Sequence, residues 1–211
     1  MKKYNWIDKI SEEELNDVCK TLKEGGVVIF PTETVYGIAA CALNKNGVDK
    51  LYKAKRRPRE KAINIMVSKK QEIERYAYIK NEVERQIIDK FMPGELTIIL
   101  DKKDDFGNYF TLSDGTIGVR IPDSDIALTI LSEVSMPLIV SSANISGMAS
   151  GVDPDEIEKY FSESVDILID GGIINKGIPS TIVRVQNEKI KIIREGKITK
   201  EKLESQIETG Y

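Results

Sequence analysis

The chain has 211 residues, 41% of them apolar and 31% charged, with both signs mixed and a net charge of −3. That composition excludes a collagen-like, low-complexity or globally disordered chain, and the length is ample for a sizeable core. There is no histidine, which removes Ser-His-Asp and Cys-His catalysis, HExxH zinc sites and histidine general bases together. Cys19 and Cys41 are the two cysteines and form no CxxC pair, so neither a disulfide framework nor a cysteine zinc site is expected. No apolar run approaches the length of a membrane span and the first residues do not read as a signal peptide, so a cytoplasmic protein is expected.

In chain order, Ser11 with Glu14 reads as a capping box. Leu15, Val18 and Leu22 follow at helical spacing, and Gly25-Gly26 stops the helix. Residues 27–30 read as a buried strand ended by Pro31, 48–55 as a helix, and 62–67 as a strand. Ser68 is expected to cap a helix reaching Ala77, and 82–91 reads as a helix stopped by Pro93-Gly94. Strand 96–100 leads into a polar segment, 101–115, expected to be a mobile loop. Strand 116–121, helix 126–134 and strand 138–141 follow. A small-residue loop, 146–153, also expected to be mobile, leads into a short helix ending at Phe161. Strand 165–169 ends in Asp170-Gly171-Gly172. Segments 181–185 and 190–194 read as a hairpin, and 199–207 as a largely polar helix. Alternating strands and helices with some hairpins predict an α/β sheet of mixed direction in a single domain, 1–211, with a short helical tail from about 198.

Five polar clusters fall at predicted element ends. Gly172 to Gly177 has P-loop glycine spacing but is followed by Ile178-Pro179, so the phosphate lysine and the magnesium-binding hydroxyl are missing. Pro31 to Gly37 packs two hydroxyls, a carboxylate and a phenol directly after a strand, and also reads as an ordinary capping turn. Residues 45–61 carry eight Lys/Arg against two Asp/Glu, a local +6 on a chain that is otherwise −9. This run suits phosphate, and equally a solvated helix face. Arg120 lies in an apolar strand, where it needs an anion, either a ligand clamped in bidentate fashion or an internal carboxylate. Ser141 to Gly147 supplies small hydroxyls and an amide after another strand. Asp170-Gly171-Gly172, Ser180-Thr181 and Arg194-Glu195-Gly196 form the last cluster. All five at strand or helix ends would suit one shared crevice.

Taken together these segments resemble the YrdC-like family, which includes the threonylcarbamoyl-adenylate synthases of transfer-RNA modification. The resemblance is carried by PTETVYG at 31–37, Lys55 to Pro58, PGELT at 93–97, GVRIPD at 118–123, SANISG at 142–147, DGG and GIPST within 170–181, and REG at 194–196. It implies a twisted mixed parallel/antiparallel sheet with flanking helices and a concave, positively charged cavity. It also implies the reaction of L-threonine, bicarbonate or CO2, and ATP to threonylcarbamoyl-AMP and pyrophosphate, with magnesium on the ATP phosphates rather than on protein side chains. The family's Lys-x-Arg and Ser-x-Asn groups fall on Lys55, Arg57, Ser142 and Asn144. The threonine pocket falls on Thr32, Asn64, Thr116, Arg120, Val140 and Ser180, and ATP contacts on Lys55, Arg59, Ser142, Ser150 and Arg194. Departures are Met92 and Glu95 around the PG pair, and Ala62 and Met66 where the family often has proline and histidine. A second C-terminal domain, present in some members, is not expected here. The resemblance implies a downstream threonylcarbamoyl transferase as partner, with a contact to transfer RNA or double-stranded RNA and none to a membrane. Two other readings stay open: a double-stranded RNA-binding module using the basic run, and a relative with a different carbamoyl substrate.

Overall fold

A computed structural model describes residues 1–7, 9–111, 114–175 and 177–207. Leu112 and Ser113 of the polar segment, Lys176 of the Gly172–Gly177 stretch, and the last four residues of the expected tail lie outside the described residues. The chain begins β1 (Lys2–Asn5), α1 (Glu12–Lys23), β2 (Val28–Phe30), β3 (Gly37–Cys41), α2 (Lys45–Ala54) and β4 (Asn64–Met66). It continues α3 (Ile73–Tyr76), β5 (Ala77–Tyr78), α4 (Glu82–Phe91), β6 (Leu96–Lys102), β7 (Thr116–Arg120) and α5 (Asp125–Val134). Then come β8 (Leu138–Ser142), α6 (Pro154–Phe161), β9 (Ile167–Asp170), β10 (Thr181–Gln186), β11 (Lys189–Arg194) and α7 (Lys200–Gln206).

The strands form one sheet in the order β1-β9-β2-β3-β8-β4-β7-β6-β10-β11, with β5 on β6. Four neighbouring pairs are parallel, β1–β9, β9–β2, β4–β7 and β6–β10, and the others are antiparallel. The sheet is therefore mixed, as the alternation of helices with hairpins requires.

Its two faces bury two clusters. Along β2, Ile29 joins the larger cluster, which includes Leu51 and Ile87, while Val28 and Phe30 join the smaller one with Val18, Leu22 and Leu131. The alternation is the period of two that a strand imposes. Local chemistry ends most helices. Ser11 and Glu14 form the capping box, and Asn44, Asn81, Ser124, Asp153 and Thr199 cap α2, α4, α5, α6 and α7 through their side chains.

The structure departs from or adds to the sequence reading at four points. β1 and β3 do not appear in the sequence reading. β3 is buried on both faces and made of Gly, Ala, Ile and Cys, so it shows neither alternation nor strong strand propensity. Ser68 does not cap a helix: its N–H and hydroxyl donate to Glu72 Oε2, each at 3.0 Å, and a short 3-10 turn leads into the four-residue α3. Within the polar 101–115 segment, Phe106 and Phe110 pack into the core and the Tyr109 hydroxyl donates to Ala42 O. The polar α7 buries Leu203, and Ile198 before it and Ile207 after it are buried too. Thr181 Oγ1 holds this segment by donating to Ile198 O at 2.7 Å and accepting from its N–H at 3.0 Å.

Candidate functional site

The 31–37 segment leaves β2 at Pro31 and turns on its own hydroxyls. Thr32 Oγ1 donates to Val35 O at 2.7 Å, accepts the N–H groups of Thr34 and Val35, and lies 2.9 Å from Thr34 Oγ1. The Tyr36 hydroxyl donates to Gly172 O at 2.7 Å and accepts from Gly171 N, tying this segment to the Asp-Gly-Gly turn. Burial pushes the Tyr36 phenol up to about 12.

The basic run divides into parts with different fates. Arg56, just past α2, is held at φ 49°, a left-handed conformation that turns the chain. Lys55 before it is buried and donates from Nζ to Ser142 O, to Asn144 O at 2.8 Å and to Asn144 Oδ1 at 3.3 Å. Arg57 after it donates from Nε to Lys61 O at 2.9 Å and from Nη2 to Ala62 O at 2.7 Å. Lys45 and Arg59 pair instead with Asp49, and Arg59 stacks 4.3 Å over the Tyr52 ring. Lys50, Lys53 and Arg56 are exposed. The run is thus partly a solvated face and partly built into the site.

Ser142 Oγ donates to Asn144 Oδ1 at 2.5 Å, and the Asn144 amide donates to Ile145 O and Met148 O. Lys55, Ser142 and Asn144 therefore form one bonded unit. Burial first, and the Arg57 charge second, push the Lys55 amine down to about 7.

Arg120, at the end of β7, meets an internal carboxylate. Its Nη2 donates to Glu33 Oε1 at 2.7 Å and to Thr34 Oγ1 at 3.1 Å, and its Nε to Gly94 O at 3.0 Å. A bidentate clamp through Nη2 is already spent on the protein, and Nη1 has no partner among the described residues. Arg194, at the end of β11, donates from Nε and Nη2 to Ser180 O and from Nη2 to Ser180 Oγ at 3.2 Å. Burial, then the charges of Arg120 and Arg57, push the Arg194 guanidinium below its ordinary value.

These groups enclose a cavity of about 190 Å³. At about 30 Å³ per water, that is room for a small amino acid or a phosphoryl group. Of the expected threonine pocket, Thr32, Asn64, Arg120, Val140 and Ser180 line it. Thr116 does not: it begins β7, four residues and about 13 Å of strand from Arg120, and its Oγ1 donates to Asp114 Oδ1 at 2.7 Å. Of the other expected groups, Arg57, Ser142 and Arg194 line the cavity, and Ala62 and Met66 form part of its wall. Lys55 and Asn144 support it through their bonds to Ser142. Arg59 and Ser150 are not among the lining residues.

Thr34 and Tyr36 belong to a motif the sequence had flagged. Thr97, 3.1 Å from Ser180 Oγ, sits in the PGELT segment at 93–97 but was given no role there, because only the parallel pairing of β6 with β10 brings the two hydroxyls together. Glu33 was flagged only as one polar group among several.

The ends of β7 and β11 and the turn after α2 bring Arg120, Arg194 and Arg57 together with a set of hydroxyls around a small cavity, in an α/β protein with a mixed sheet. The chain belongs to the Sua5/YciO/YrdC family, whose model, described as telomere recombination, matches residues 20–196. A Methanocaldococcus jannaschii protein provisionally named as a threonylcarbamoyl-AMP synthase is 45% identical over 93% of this chain and 94% of its own length. A Bacillus subtilis protein named threonylcarbamoyl-AMP synthase is 31% identical over 98% of this chain. The crystal structure of Pyrococcus abyssi Sua5 complexed with L-threonine is 30% identical, with a TM-score of 0.93 over 99% of this chain. This chain spans 62% of the Bacillus protein and 62% of the Pyrococcus chain. The E. coli YciO structure, 22% identical with a TM-score of 0.85, shares the fold.

Proposed function

We propose that this chain is a threonylcarbamoyl-AMP synthase, a nucleotidyltransferase that makes threonylcarbamoyl-AMP and pyrophosphate from L-threonine, CO2 or bicarbonate, and ATP. The product would supply the N6-threonylcarbamoyladenosine modification of transfer RNA. The observation that carries the reading is the cavity itself, where Arg57, Arg120 and Arg194 meet the hydroxyls of Thr32, Thr34, Thr97, Ser142 and Ser180. The names of the relatives and the threonine bound to Pyrococcus abyssi Sua5 support it.

The chemistry suits a chain without histidine. The threonine amine adds to CO2, forming an N–C bond and releasing a proton. The resulting carbamate is already an anionic nucleophile. One of its oxygens attacks the α-phosphorus of ATP, the bond to the bridging oxygen breaks, and pyrophosphate leaves. Such a transfer depends on positioning and charge stabilisation. Arg120 Nη1 would meet the threonine carboxylate, with Thr32 and Ser180 orienting the amino acid. Arg57, Ser142 and Arg194 would face phosphate oxygens, and Lys55 would hold the 142–144 loop in shape through its three bonds. Among the described residues no group of three or more His, Cys, Asp or Glu side chains is placed to hold a metal ion. Magnesium would enter on the ATP phosphates, as part of the substrate.

The test is pyrophosphate release from ATP with threonine and bicarbonate each omitted in turn. Release that needs both supports the synthase. Release without threonine points to another carbamoyl acceptor, and no release by folded protein overturns the reading.

A further inference from the structure

We infer that Glu33 is a positioning residue that fixes Arg120 so that the Nη1 end of its guanidinium is the part left to meet the amino-acid carboxylate. The inference rests on the synthase reading. Glu33 lies between Thr32 and Thr34, which line the cavity, but is not itself part of the lining. Its Oε1 accepts from Arg120 Nη2 at 2.7 Å and from Asp123 N at 2.9 Å. The second Nη2 hydrogen goes to Thr34 Oγ1 and the Nε hydrogen to Gly94 O. A guanidinium has five N–H groups. Three are committed here, and the two on Nη1 have no partner among the described residues.

Arg120 is buried, with 6% of its side chain exposed, and its partner Glu33 is partly buried, with 15% exposed. Removing one member of such a pair leaves the other charge uncompensated. Glu33 also sets the wall around the arginine. Through Nη2 its carboxylate is linked to Thr34 Oγ1, which lies 2.9 Å from Thr32 Oγ1. Through Asp123 N it joins the 31–37 segment to the turn after β7. Its other oxygen, Oε2, is buried and has no hydrogen-bond partner among the described residues. The contacts that the carboxylate does make, to Arg120 Nη2 and Asp123 N, both act on the arginine and the segment around it.

The experiment compares wild type with Glu33→Ala and Glu33→Gln, measuring KM for threonine and for MgATP by pyrophosphate release, with melting temperatures as a folding control. Glutamine keeps an acceptor for both donors but loses the charge, and alanine loses both. Glu33→Ala is expected to raise the threonine KM about tenfold and Glu33→Gln about threefold, with the MgATP KM within about twofold in each. Equal rises in both KM values, an unchanged threonine KM, or a glutamine variant as impaired as the alanine one overturns the assignment. Should the alanine variant not fold, the split between the two KM values in Glu33→Gln decides alone. Wild-type protein whose pyrophosphate release ignores threonine overturns the synthase reading, and the ligand given to Arg120 falls with it. Threonine-dependent wild-type activity with indifferent Glu33 variants overturns the Glu33 role alone.

Discussion

Lys55 is a charged side chain buried at a cost. Its amine is out of water and beside the Arg57 guanidinium, and both effects disfavour its charge. The folded pKa of about 7 lies below the usual lysine value of 10.5, so between those values the unfolded chain binds more protons than the folded one. The burial penalty is therefore full below pH 7 and is relieved as the pH rises toward 10.5. Wild-type stability measured relative to Lys55→Met should rise between pH 7 and 9 by up to about 1.4 kcal/mol per pH unit. Urea midpoints of the two proteins across that range check it, and a flat difference would mean that Lys55 stays protonated on its three acceptors. Residue types were legible here from the sequence: Lys55, Arg57, Ser142 and Arg120 were all singled out. Their partners were not. Nothing local says that Glu33 takes Arg120, 87 positions away in the chain, or that Asp49 takes Arg59.

At the scale of elements, α4 spans the 82–91 stretch expected of it, because Asn81, an apolar stripe and Pro93 all act locally. The hairpin of β10 and β11 was equally plain, and Asn187 and Glu188 turn it with positive φ. β1 was invisible because it pairs with β9, far along the chain, and β3 because its small, fully buried residues carry no alternation and its outer neighbour, β8, is also distant in the chain, although β2 flanks it on the other side. The glycine after β11 shows how one backbone approach sets the site. A Cβ on Gly196 would stand 2.3 Å from Pro179 O and 2.6 Å from both Ser180 C and Thr181 N. Gly196→Ala must push these segments apart, and Arg194 grips Ser180 in that region. A loss of about 1–3 kcal/mol is expected from the overpacking, together with lower synthase activity. Melting curves and pyrophosphate release measure the two, and an unchanged melting temperature would show that the contact relaxes freely.

For the whole molecule, strand order decides how the chain unfolds. β9 lies between β1 and β2, and β8 between β3 and β4, so no contiguous third of the sequence can close its part of the sheet. The two apolar clusters use alternate residues of the same strands, so losing one uncovers the other. We propose that residues 1–211 unfold as one unit. Leu131→Ala, in the smaller cluster, should shift a single urea transition by about 2–5 kcal/mol, and two resolved transitions would show the layers separating. By itself the sequence determined what each short stretch could do: apolar runs and caps set helices and strands, and the absence of histidine removed whole classes of chemistry. Only the tertiary structure decided which strand ends meet. Register and strand order are settled by burial on both faces of the sheet, a property that no single stretch carries. That is why Arg57, Arg120 and Arg194 share one cavity while Thr116, in the same strand as Arg120, lies outside it.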